Sequence, residues 1–190
     1  MNLKSTSVLI AAITIMLVGI MPQTGDSQEE EDMAKWTFLV YLDSDNNLES
    51  EGITDMNEME AVGSTDEVNV VVQMDRWDTD DEGDDESNGD WTDTRRFLVE
   101  KDSDRNRIST EEVQILGETN MGDPETLIDF ATWGLDNYPA ENYALVLWDH
   151  GGAFWGVCWD EGLPEGGEHD NLNMTELKYA VEEIYLHRGS

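Results

Sequence analysis

The chain has 190 residues, enough for one domain with a real core and too few for two large ones. Apolar residues make up 38% and seven residues are tryptophan, a composition that excludes a disordered acidic tail. The 44 acidic residues against 10 basic ones leave a formal net charge of −34, so the surface repels nucleic acid and anionic headgroups and attracts cations and basic peptides.

Lys4 precedes Val8–Met21, an uncharged apolar run. It suits a signal-peptide core and is short for a membrane span. Residues 1–25 therefore read as a signal peptide or, uncleaved, as an anchor held through residues 8–21. Either reading places the body outside the cytoplasm, secreted or anchored. Residues 26–35 read as an acidic linker, and residues 36–190 as the folded domain.

Within that domain, Trp36–Leu42 is the first apolar strand, stopped by Asp43-Ser44-Asp45-Asn46-Asn47. Asn46 or Asn47 can cap the next helix, whose stripe is Leu48, Ile53, Met56, Met59 and Val62, with Gly63 as its stop. Residues 67–75 hold an unbroken valine run, as expected of a parallel strand covered on both faces. An acidic, low-complexity loop follows over 78–90, then short strands at 94–99 and 113–116. Asp123-Pro124 opens a helix with proline in its first turn. Tyr143–Trp148 reads as a third buried strand, and Asn173-Met174-Thr175-Glu176 as a capping box that starts a last helix reaching His187. The order strand, helix, strand, hairpin, helix, strand, helix predicts an α/β fold with a mostly parallel sheet. Sites in such sheets lie at the carboxyl ends of the strands.

His150 follows the third strand directly, between Asp149 and the glycines Gly151 and Gly152. The residues alone leave two readings open: a positioned base, or a histidine that merely ends a strand. Cys158 lies eight positions on and is the only cysteine, which excludes an internal disulfide framework. A thiolate nucleophile needs its base within hydrogen-bond reach. In a parallel sheet the natural arrangement uses two neighbouring strands, joined by a crossover of a dozen or more residues. Eight residues cannot hold it. Flanked by Val157 and Trp159, Cys158 reads as a packed, inert thiol.

"WTFLVYLDSDNNLE", "LGETNMGDPETLIDF" and "NYALVLWDHGGAFWGVCWDE" together resemble the clostripain family of cysteine peptidases, from about Trp36 to the end of the chain. The resemblance implies a caspase-like three-layer sandwich, incomplete here at its C-terminal side. It implies a catalytic dyad made by the histidine of the W-[DN]-H-G block, here His150, and a cysteine on a later strand. It places Gly151 and Gly152 at the pocket floor and near the oxyanion, and it makes Cys158 a non-nucleophile. No cysteine follows Cys158. The chain thus reads as the N-terminal portion of a secreted endopeptidase that cuts protein or peptide substrates after Arg or Lys, inactive without a complementing C-terminal segment. The rival reading is a non-catalytic acidic binding protein on the same scaffold. A third, weaker one rebuilds Cys158 as the nucleophile. Without its next strand the sheet should keep an open apolar edge at Tyr143–Trp148.

Calcium is implied by the resemblance, with no ligands assigned. Asp43-x-Asp45-x-Asn47 and Asp102-x-Asp104-x-Asn106 each carry three oxygen positions of a Ca²⁺ loop. Both lack its glycine and its last glutamate, so a capping loop and a polar turn explain them better. The loop 78–90 offers loose cation binding or a plain solvated insertion. His169 and His187 show no zinc spacing with His150. Trp148, Trp155 and Trp159 read mainly as core, and Arg95, Arg96, Arg105 and Arg107 as one basic cluster in an acid–base hairpin.

Overall fold

The computed structural model of the chain describes residues 33–78, 85–163 and 169–189. The signal or anchor segment, most of the linker and residues 79–84 of the acidic loop lie outside the described residues. The strands are β1 (Ala34–Ser44), β2 (Val68–Arg76), β3 (Thr94–Leu98), β4 (Glu112–Gly117), β5 (Ala140–Trp148), β6 (Val157–Asp160) and β7 (Asp170–Leu172). The helices are α1 (Glu49–Glu60), α2 (Pro124–Asn137) and α3 (Met174–Arg188). β1 begins at Ala34, so the last linker positions already belong to the sheet. No helix among the described residues is long and apolar enough to cross a membrane.

Five strands form one sheet in the order β4-β3-β2-β1-β5, and β6 and β7 form a small antiparallel pair. β1 runs parallel to both β2 and β5, while β3 and β4 are added antiparallel. Side chains alternate faces along β1 and β2 and so divide the core in two. Leu39, Tyr41 and Val71 pack with Leu127, Phe130 and Ala180 of α2 and α3. Val40, Leu42, Val72 and Met74 pack with Ile53 and Met56 of α1. The result is a helix–sheet–helix sandwich, as expected.

Local signals decide the helix starts. Asp123 accepts from the Glu125 amide at 2.8 Å and Pro124 follows at a position where its missing N–H costs nothing. Asn173 and Glu176 complete a capping box at α3. α1 departs from expectation. Its cap position is Leu48, with no side-chain cap; Asn46 instead accepts the Leu48 amide in a turn, at 2.9 Å.

β5 also departs from expectation. It is half-exposed and not buried, because β1 covers one side and no strand among the described residues covers the other. The face beside it is apolar and open: Phe38, Val146, Met59, Val62 and Val70 line a groove of about 470 Å³. The arginines of β3 pair with acids, as the acid–base hairpin reading expects. Arg96 is buried against Gln73 and Asp129, and Arg95 pairs with Asp93.

Candidate active site at the carboxyl end of the sheet

β5 ends at Trp148 and delivers Asp149 and His150 to the sheet's carboxyl end. Asp149 is the fixed point of this turn. One carboxylate oxygen accepts from Asn46 Nδ2 at 2.9 Å, and the other accepts the Trp159 amide. Asn46 Nδ2 also donates to the Trp159 carbonyl at 3.0 Å. The segment after β1 is thereby tied to both β5 and β6. Burial pushes the Asp149 carboxyl above its ordinary range, and the Trp159 and His150 amides pull it back.

His150 is exposed, and its Nε2 lies 3.0 Å from Asn47 Oδ1. An amide oxygen only accepts, so Nε2 carries a proton, and in the neutral imidazole the lone pair is then on Nδ1. That is the form a general base needs. Sequence reasoning had Asn47 only as a candidate helix cap and missed it as the orienting partner. Its signal is positional: it stands just past the carboxyl end of β1, the strand beside β5.

Gly151 and Gly152 serve different ends. A Cβ on Gly151 would meet nothing within 4 Å, whereas one on Gly152 would strike Trp159 Cη2 at 2.4 Å. The Gly152 amide donates to the Gly156 carbonyl at 2.9 Å, so this glycine provides close approach. A short 3-10 turn, Ala153–Trp155, then holds Phe154 and Trp155 outward with ring centroids 4.7 Å apart. Trp155 is 69% exposed, against the expectation of a core role.

Cys158 is fully buried in the cluster of Tyr41, Met121 and Leu172. Burial, with Asp43, Asp149 and Asp160 nearby, holds its thiol well above the ordinary range. A thiol kept neutral inside a core is the opposite of an activated nucleophile. His150 and Cys158 leave the same turn in different directions, one to solvent and one to the core.

A second constellation lies beneath this turn, and the sequence reading passed over most of it. Carboxylate oxygens of Asp45, Asp75 and Asp160 all lie within 4.8 Å of one another, and all three residues are buried. Each stands at the carboxyl end of a strand: Asp45 just past β1, Asp75 in β2, Asp160 at the end of β6. The Asp43-x-Asp45-x-Asn47 stretch is therefore not a self-contained cation loop. Asp45 meets partners 30 and 115 positions away, Asp75 and Asp160. Acids closing the apolar runs "VVVQMD" and "GVCWD" were the available signal.

An α/β sandwich that presents an exposed histidine at the end of a parallel strand, with an orienting amide beside it, has the scaffold of a caspase-like peptidase. The clostripain family profile matches residues 40–187, and the chain belongs to that family. Clostripain of Hathewaya histolytica is 31% identical over 160 residues, which cover 75% of this chain and 30% of that protein. A solved secreted C11 cysteine protease from Bacteroides thetaiotaomicron, in complex with an irreversible peptide inhibitor, superimposes with a TM-score of 0.55 at 19% identity. That match covers 79% of this chain and 39% of the other, and it bears on the fold alone. The chain spans less than half the length of either relative.

Proposed function

We propose that this chain is the histidine-bearing portion of a secreted or extracytoplasmic clostripain-like cysteine endopeptidase, with His150 as its general base. The observation that carries the reading is the placement of His150. It is exposed, its Nε2 faces Asn47, and it ends the one strand of the parallel group that lacks a second neighbour among the described residues. A further parallel strand on β5 would bring its carboxyl end beside His150, where the family's thiolate belongs. The apolar groove beside β5 favours such a partner, since β-edges with uncovered apolar faces seek one.

In this reading His150 Nδ1 takes the thiol proton, the thiolate attacks the scissile carbonyl, and the same nitrogen protonates the leaving amine. Water then hydrolyses the acyl-enzyme. The strongly acidic surface favours substrates with Arg or Lys at the cleaved bond. Gly151 and Gly152 floor the pocket, and an uncleaved segment 8–21 would hold the enzyme at a membrane.

The test uses the chain joined to, or co-expressed with, the coding sequence that continues after codon 190. Cleavage of Arg- and Lys-containing peptides is measured. His150→Ala should lower kcat/KM by at least about 10³-fold, while Cys158→Ala keeps it within about threefold if it folds. Activity that survives His150→Ala and vanishes in a folded Cys158→Ala protein overturns the assignment. A continuation with no cysteine-bearing strand would leave a non-catalytic acidic binding protein.

A further inference from the structure

Two aromatic rings stand in solvent just past His150, and the acid–base chemistry gives them nothing to do. Phe154 is 72% exposed and Trp155 69%, with ring centroids 4.7 Å apart. We infer that Phe154 and Trp155 form a substrate subsite for an apolar or aromatic side chain within the first three residues on the leaving-group side of the cleaved bond. The inference rests on the peptidase reading of His150.

The exposure is particular to this turn. Phe97 and Phe130 are 2% and 0% exposed, and Trp36, at 41%, is the next most exposed tryptophan among the described residues. A single apolar side chain at a surface is ordinary, whereas two adjacent large rings make a contiguous patch of the kind that marks interaction sites. The charge pattern agrees. Gly151 to Cys158 carries no charged side chain, in a chain in which 28% of the residues are charged. This turn is an uncharged island beside the base, and it suits an apolar ligand group better than a charged one.

The backbone holds the rings out. Gly151 bridges Val157, the Gly152 amide donates to the Gly156 carbonyl at 2.9 Å, and the Trp155 amide donates to the Gly152 carbonyl at 3.1 Å. Ala153 sits at φ 54°, a left-handed conformation that the β-carbon of an alanine disfavours. Gly156 is pressed against β7, where a Cβ would strike the Leu172 carbonyl oxygen at 2.3 Å. Asn171 Nδ2 donates to the Trp155 carbonyl at 3.3 Å and ties the tip to the same strand. Rings fixed in this way lose little freedom when a ligand packs on them.

Position decides which part of the substrate they meet. Trp155 is hydrogen-bonded back to Gly152, two residues past His150. Two residues span at most about 7 Å, and a turn closed by such a bond less than about 7 Å. The Trp155 and His150 backbones therefore lie within about 14 Å, the length of about four extended substrate residues. In the proposed mechanism His150 protonates the leaving amine, so the surface next to it borders the residues that depart.

The test uses the joined or co-expressed protein described above, in about 0.5 M NaCl to screen the acidic surface. Its substrates are peptides cleaved after arginine, with three glycines beyond the bond, and phenylalanine is placed at each of those positions in turn. We expect one phenylalanine position to raise kcat/KM roughly 10-fold over the all-glycine peptide, chiefly through KM. Trp155→Ala should bring that ratio down to about 1–2, Phe154→Ala should lower it roughly threefold, and Trp155→Phe should keep at least about half of it. These side chains are exposed, so the variants should fold, which thermal melting checks. A ratio near 1 at all three positions in an active wild-type protein overturns the inference and leaves the peptidase reading standing. So does a ratio that Trp155→Ala does not move, or an equal gain from lysine at the favoured position. Wild-type protein that cleaves no arginine or lysine peptide overturns both.

Discussion

Asp75 and Arg76 are neighbours at the end of β2, and because side chains alternate they enter opposite layers of the sandwich. On the α1 side, Arg76 Nε meets Glu49 at 2.7 Å with both side chains 1% exposed. Glu49 also accepts the Asp85 amide at 2.8 Å, and Trp91 lies against the guanidinium at 4.9 Å. On the α2 and α3 side, Asp75 joins Asp45 and Asp160, and the charges that act most strongly on Asp75 are the acids Glu118, Asp45 and Asp160. One buried charge group pairs acid with base from the chain's own residues. In the other, burial and mutual repulsion raise the pKa values of the gathered acids. Burial of charge is tolerated here when it is answered, and the two layers answer it differently.

Breaking the self-completed side should have the largest effect. Arg76→Met leaves Glu49 in the core without its counter-charge and should cost about 3–5 kcal/mol of stability, read from urea unfolding. A loss under 1 kcal/mol would mean that the pair is not the closed unit described.

The acid side should show itself in pH dependence. Asp45 and Asp160 have folded-state pKa values raised to about 8 and about 6, above the ordinary value of 3.8. The folded chain therefore binds more protons than the unfolded one between these limits. The stabilisation is complete below about pH 4 and is lost as pH rises through about 6 and then about 8. Each pKa unit is worth about 1.4 kcal/mol, so metal-free protein should lose a few kcal/mol between pH 5 and pH 8.5. Asp43, Asp75 and Glu118 shift in the same direction and add to the trend. Melting curves across this range, in EDTA, decide the matter; metal-free stability that climbs with pH would contradict it.

A smaller effect should sharpen the contrast. Gly162→Ala places a methyl against Asp45 Oδ2 and should cost about 1–3 kcal/mol, with an unchanged Arg76–Glu49 pair. Asp45→Asn should do the reverse in EDTA at pH 8.5, stabilising the chain by about 1–2 kcal/mol. Parallel unfolding curves of both variants give the two signs.

Much of this fold was legible in the sequence. The apolar runs of β1 and β2 and the caps at Asp123 and Asn173 are local signals, and local signals survive folding. The half-exposure of β5 was legible only in part, because an apolar run does not say whether both sides of a strand are occupied. β6 and β7 were missed: four and three residues among glycines give no usable period. The catalytic candidate was legible as a type of residue in a type of place, but its partner Asn47 was not. Nor was the gathering of Asp45, Asp75 and Asp160, since strand order and parallel register alone bring them together. Cys158 was placed correctly by a length argument, since eight residues cannot span a crossover.

The most direct measurement is an NMR titration of the Asp45 and Asp160 side-chain carboxyl carbons in EDTA. The account predicts midpoints at about 8 and about 6. Midpoints of both near the ordinary 3.8 would contradict it.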